Sequence, residues 1–92
     1  MNTKAVKIRV YGRVQGVGFR YSTVQAAVKI GVSGWVRNEW DDTVLVYCEG
    51  STKAVDRFIS WCRKGPVLSR VVSLDITDVS YQGLYTGFKI EY

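Results

Sequence analysis

Val6-Lys7-Ile8-Arg9-Val10-Tyr11-Gly12-Arg13-Val14-Gln15-Gly16-Val17-Gly18-Phe19-Arg20 holds the change of period on which the fold turns. Up to Tyr11, the apolar Val6, Ile8 and Val10 alternate with Lys7, Arg9 and Tyr11, the pattern of a half-buried strand, which ends at Gly12. From Ser22 to Ile30 the pattern is helical. Ile30, Thr23, Ala27, Val24 and Val28 share one arc of the wheel, Ser22, Gln25 and Lys29 share the other, and Gly31 stands at the C-cap. The segment from Gly12 to Arg20 fits neither period. The chain therefore opens as strand, glycine-rich loop, helix.

Downstream, Gly34-Trp35-Val36-Arg37-Asn38 reads as a second strand, and Asp41-Asp42-Thr43 as a turn. Val44, Val46 and Cys48 alternate with Leu45, Tyr47 and Glu49, a third strand hairpinned to the second. Ser51 or Thr52 can cap a second helix, whose apolar stripe is Val55, Phe58, Ile59 and Cys62 and whose stop is Gly65-Pro66. Val72, Leu74 and Ile76 alternate as a fourth strand, Tyr81 to Tyr85 is a loop, and Phe88, Ile90 and Tyr92 alternate as a short last strand. The order β-α-β-β-α-β plus a terminal strand predicts an α+β fold, the ferredoxin-like split βαβ sandwich. Two helices should cover one face of a mostly antiparallel four- to five-stranded sheet.

At 92 residues the chain is expected to form a single domain, 1–92, with a small core. A hydrophobic content of 47% and one proline exclude disordered and Pro-rich classes. Thirteen Lys and Arg against eight Asp and Glu leave +5, spread along the chain: a mild field favouring anions. There is no histidine, so the common zinc sites and the Ser-His-Asp and Cys-His nucleophile systems are closed to it. Cys48 and Cys62 are too few for a disulfide framework and are expected to be buried and reduced. No apolar h-region follows Met1-Asn2-Thr3-Lys4 and no apolar run could span a bilayer, so neither a signal peptide nor a membrane segment is expected. The expected location is the cytoplasm.

A glycine-rich loop between a strand and a helix can point backbone N–H groups at an anion. Gly16 and Gly18 permit the positive φ this needs, and Arg20, at the start of the helix, could grip phosphate oxygens with two parallel N–H bonds. The loop reads equally as a tight turn followed by a surface arginine. It is not a nucleotide P-loop, since no Gly-Lys-Ser/Thr closes it, and it holds no cysteine. Ser22 and Thr23 have no base within sequence reach, so a bound phosphate would meet no protein nucleophile. Asn38 is the second candidate. It is either a turn-favouring residue at a strand end or an amide that holds a water in one orientation. Trp35, Trp40 and Trp61 read as core or partly exposed packing residues.

The run Gly12-Arg13-Val14-Gln15-Gly16-Val17-Gly18-Phe19-Arg20 resembles the signature of the acylphosphatases. Gly34-Trp35-Val36-Arg37-Asn38 is similar to the family's second signature, and Gly65-Pro66 and Phe88-Lys89-Ile90 also fit. One departure is visible: the family commonly has Asp-Gly in the turn after the asparagine, and here it is Asp41-Asp42, which implies local strain or another turn type. The resemblance implies hydrolysis of small-molecule acyl phosphates to carboxylate and inorganic phosphate, the latter a product and competitive inhibitor. It implies that Arg20 binds phosphate, that Asn38 positions the attacking water, and that the backbone N–H groups of Gln15, Gly16, Val17, Gly18 and Phe19 wrap the phosphoryl oxygens. The chemistry is compatible with that inventory. A carboxylate of pKa ~4–5 leaves without a protonating acid, and the loose phosphoryl transition state asks for charge stabilisation and an aligned nucleophile. No metal or cofactor is called for, and a monomer is expected.

The rival reading is a non-catalytic binding module on the same plan, RNA-binding or regulatory. An RNA platform needs aromatics on the two central strands. The outward residues there are Lys7, Arg9 and Tyr11 on the first and Leu45, Tyr47 and Glu49 on the third, a poor stacking surface. Neither nucleic acid nor membrane is an expected partner.

Overall fold

The computed structural model describes residues 2–92. Its elements are β1 (Thr3–Arg13), α1 (Phe19–Ile30), β2 (Ser33–Asn38), β3 (Val44–Ser51), α2 (Thr52–Lys64), β4 (Arg70–Val79) and β5 (Phe88–Ile90). They form the expected ferredoxin-like α+β sandwich: one five-stranded sheet in the order β4-β1-β3-β2-β5, antiparallel except for the β2–β5 pair. Because β1 and β2 both run antiparallel to the intervening β3, the loops that follow them emerge at the same end of the sheet. That shared end is where the candidate site residues meet.

The alternation that marks the strands also sorts their side chains. Val6, Ile8 and Val10 of β1, Val36 of β2, and Val44, Val46 and Cys48 of β3 point into one core with Phe19, Ala27, Val55, Phe58 and Cys62 of the helices. On the other face, Ala5, Trp35, Leu45 and Tyr47 form a second buried cluster with Val79 and Tyr85. Tyr85 comes from the stretch between β4 and β5, and its ring lies 5.1 Å from that of Tyr47. The stretch is fastened by Glu49. This buried carboxylate accepts from the Tyr47 hydroxyl (2.6 Å) and from the backbone N–H groups of Gln82 and Gly83 (3.1 and 3.2 Å). The central aromatic that an RNA platform would need is thus covered.

Three expectations are corrected. First, α1 begins at Phe19, not Ser22, and Val28 is exposed: only Phe19, Thr23 and Ala27 are fully buried, with Val24 and Ile30 partly so. Second, the phase of β4 changes. Tyr11 pairs with Ser73 and Gly12 with Val71, so Val72 is an extra residue in a bulge. Val71 therefore packs on the core while Val72 is 73% exposed. Third, Trp40, at the tip of the β2–β3 hairpin, is 96% exposed. Cys48 and Cys62 are buried and free.

Candidate active site

Gly16 and Gly18 both take positive φ, 74° and 75°, and Gly18 is the N-cap of α1. A Cβ at either position would meet nothing within 4 Å, so the left-handed backbone, not crowding, selects glycine here. Among the described residues no side chain caps the helix, and the first amide of α1 to find a backbone acceptor is that of Ser22, which donates to Gly18 O (3.0 Å). The earlier N–H groups stay available to an anion, and the positive end of the helix dipole adds to their pull.

These groups border a cavity of about 150 Å³ lined by Val14, Gly16, Gly18, Phe19, Arg20, Tyr21, Asn38 and Ile90. The fold thereby brings together the two residues singled out by sequence, Arg20 from the first turn of α1 and Asn38 from the end of β2. Arg20 has no carboxylate partner among the described residues, whereas Arg9 and Arg37 are both committed to Glu39. Its guanidinium lies 5.5 Å from the centre of the Tyr92 ring. Asn38 Oδ1 is buried and has no hydrogen-bond partner among the described residues. An acceptor held out of bulk water and unpaired costs about 1–3 kcal/mol, so such a group points to a missing donor.

The other candidates sort differently. Val17 does not line this cavity: it borders a separate groove and packs against the core. The Phe19 ring is core, 5.9 Å from the Trp61 ring. The Thr23 hydroxyl is occupied, donating to Phe19 O (2.7 Å). Gln15 has a function that the sequence did not disclose: its Nε2 donates to Glu39 O (2.8 Å) and Thr43 O (2.9 Å). Both partners are carbonyls, so the amide nitrogen must face them. Gln15 ties the glycine loop to the hairpin that carries Asn38.

That hairpin is braced elsewhere too. The Thr43 hydroxyl donates to Asp41 Oδ1 (2.6 Å) and accepts from Arg9 Nη1 (2.9 Å), and Arg9 lies 3.5 Å from Glu39. The Thr43 hydroxyl and backbone N–H hold the Asp41 carboxyl below its ordinary range. Asp42 takes φ 71°, a left-handed position that favours glycine. Aspartate accepts this at roughly 1 kcal/mol, so the hairpin turn forms without a glycine there.

Among the described residues, no group of three or more His, Cys, Asp or Glu side chains is placed to hold a metal, and no helix is long and apolar enough to cross a membrane. The acylphosphatase family model matches residues 6–90. An acylphosphatase of Methylococcus capsulatus is 42% identical over 87 residues, 95% of each chain. One of Nocardioides is 50% identical over 80 residues, 87% of this chain and 81% of the relative. Among solved structures, the acylphosphatase of Bacillus subtilis superimposes with a TM-score of 0.92 at 35% identity, covering 97% of this chain and 99% of the other.

Proposed function

The chain belongs to the acylphosphatase family and is an acyl phosphate hydrolase, and from that premise we propose how its residues divide the reaction. The phosphoryl group enters the cavity. The N–H groups of residues 15–19 and the free Arg20 guanidinium take its oxygens, in the ground state and in the transition state alike. A water donates one hydrogen bond to Asn38 Oδ1, which turns an oxygen lone pair toward phosphorus. Attack forms the new P–O bond as the bond to the acyl oxygen breaks. The bonding pair leaves with the carboxylate, and the water's proton passes to a phosphoryl oxygen, giving inorganic phosphate.

Arg20 and the amides meet the spreading negative charge, the term that dominates in a loose transition state. The observation that carries this reading is the orphaned Asn38 Oδ1 in the same cavity as an arginine with no carboxylate partner. On this account the reaction needs no metal or cofactor, inorganic phosphate inhibits competitively, and the enzyme works as a cytoplasmic monomer.

Calorimetric titration with inorganic phosphate, beside steady-state kinetics, separates the two residues. Arg20→Ala should lose phosphate binding and rate together. Arg20→Lys should not rescue it, because a point charge lacks the two-pronged geometry. Asn38→Ala should keep phosphate affinity while kcat falls roughly 10²–10³-fold, the scale of one positioned polar group. A folded Asn38→Ala that no longer binds phosphate would end the water-positioning role, and a fully active Arg20→Ala would end the cradle.

A further inference from the structure

Asn38 stands on the last rung of the β2–β3 ladder, opposite Val44, and the turn begins at the next residue. Its Oδ1 has no hydrogen-bond partner among the described residues, so no contact of that oxygen fixes where it points. Its aim is set by the backbone, and therefore by whatever holds residues 39–43. We propose that Arg9, on the face of the sheet away from the helices, is a positioning residue for the reaction: its guanidinium pins this turn and so keeps the Asn38 amide on the attacking water. The proposal rests on the assignment of that water to Asn38.

The first, middle and last residues of the turn converge on one group. Arg9 Nη1 donates to Thr43 Oγ1 (2.9 Å) and lies 3.5 Å from Glu39 Oε1 and 3.7 Å from Asp41 Oδ2. The strand that carries Arg9 is paired on both edges, Arg9 itself with Leu45 of β3 and Asp75 of β4, so the anchor is rigid. The turn is tied across as well. The Thr43 hydroxyl and backbone N–H both donate to Asp41 Oδ1 (2.6 and 3.2 Å), and the Glu39 N–H donates to Thr43 O (2.8 Å). Glu39 gives its other oxygen to Arg37 Nε (2.9 Å), so two arginines hold one carboxylate between them.

Arg9 and Asn38 face opposite ways. Arg9 alternates with the core-facing Ile8 and Val10, whereas Asn38 lines the cavity with Phe19 and Arg20 of α1. Arg9 is no part of the cavity wall, and it acts on the site only through the turn. Gln15 holds the same turn by its carbonyls, and Arg9 holds it by its side chains. With side-chain exposures of 31% for Arg9 and 41% for Asp41, these pairs add little to stability. What they add is geometry: a displacement of about 1 Å at a reacting group costs up to ~10²-fold in rate.

The test is a double-mutant cycle on kcat with benzoyl phosphate. Arg9→Lys keeps the charge and loses the planar fork that reaches several acceptors at once. It should lower kcat roughly five- to tenfold, while KM and the calorimetric affinity for inorganic phosphate stay within about twofold. In the Asn38→Ala background the same substitution should change kcat less than twofold, because the amide it served is gone. Arg9→Met should lower kcat further and also weaken phosphate binding, since it leaves the turn more negative. A kcat loss of equal size in both backgrounds, a loss confined to KM, or wild-type kcat in both Arg9 variants overturns the proposal. If Asn38→Ala alone keeps wild-type kcat, the water assignment fails and the role of Arg9 falls with it. If Asn38→Ala loses its rate and Arg9→Lys does not, the assignment stands and the role of Arg9 alone is refuted.

Discussion

Exchanging the Gln15 amide for a carboxylate, Gln15→Glu, reverses the polarity of the tie between loop and hairpin without changing its shape. In the wild type one Nε2 serves Glu39 O at 2.8 Å and Thr43 O at 2.9 Å, in a part-buried setting. Gln15→Met, of similar volume, removes the donor and should cost about 1–2 kcal/mol, the net worth of two such bonds. Gln15→Glu at pH 7 should cost about 3 kcal/mol, because a charged acceptor then faces two carbonyl acceptors. Those carbonyls raise the new carboxyl's pKa above its unfolded value of ~4.3. The protonated form can donate again. Stability of the Glu variant relative to the Met variant is therefore regained as pH falls through the raised folded pKa and is complete below ~4. Urea midpoints at pH 7, 5 and 3.5, at constant m-value, read the difference directly. Equal midpoints for the two variants at pH 7, or a gap that does not close in acid, would refute the tie. Gln15→Met keeps the residue's backbone N–H and adds no charge, so its phosphate affinity should stay within about twofold while kcat falls as Asn38 loosens, whereas Gln15→Glu at pH 7 should also weaken phosphate binding by repulsion.

Three further outcomes are expected. Gly34→Ala should cost about 3 kcal/mol or more by urea titration, since its φ is 146° and a Cβ would come within 1.9 Å of Tyr47 O; a loss below 1 kcal/mol would contradict the β2–β3 register. Burial alone would raise the Glu49 carboxyl, but the Tyr47 hydroxyl and the N–H groups of Gln82, Gly83 and Tyr85 outweigh it and hold it below its ordinary value. That stabilisation is present above pH ~4.3 and fades as pH falls through the lower folded value, so the Tm deficit of Glu49→Gln should be large at pH 7 and small in acid, and an equal deficit at both would refute the latch. Burial pushes the Cys48 thiol up to about 12, and Cys62 is raised still further. Native protein should therefore resist a thiol reagent that titrates two groups after denaturation, and reaction of either in the native state would contradict their burial.

The strands of the sheet's middle were legible because Val6, Ile8, Val10, Val44 and Val46 follow one period and face one core. The start of α1 was not. A serine or aspartate would have marked it, but the cap is Gly18, whose left-handed conformation leaves no side-chain signal. Nor was the phase of β4, because the bulge at Val72 arises from its pairing with the distant Gly12. Glu49 looked like an outward strand residue because its partners, Gln82 and Gly83, lie in a loop with no pattern of its own. For the site, residue types and spacing left Arg20 and Asn38 with two readings each. The resemblance to known signatures singled them out, and the common end of β1 and β2 brings them into one cavity. The Gln15 tie and the unpaired Asn38 Oδ1 are facts of packing, which no local pattern encodes.

The position of β1 in the sheet has a consequence for how the chain is made. Of the sheet's strands it leaves the ribosome first, yet both its neighbours come late: β3 spans Val44–Ser51 and β4 spans Arg70–Val79. A nascent chain that ends before β4 can form both helices and the β2–β3 hairpin and can dock β1 on β3. The far edge of β1 then still shows unpaired N–H and C=O groups beside Ile8 and Val10, an invitation to any other extended segment nearby. Final closure brings Ala5 to Val79 across most of the sequence. Folding dominated by such distant pairings proceeds in milliseconds to seconds, not microseconds. For that interval the newly made chain depends on dilution, or on a chaperone, to keep β1 for its own β4.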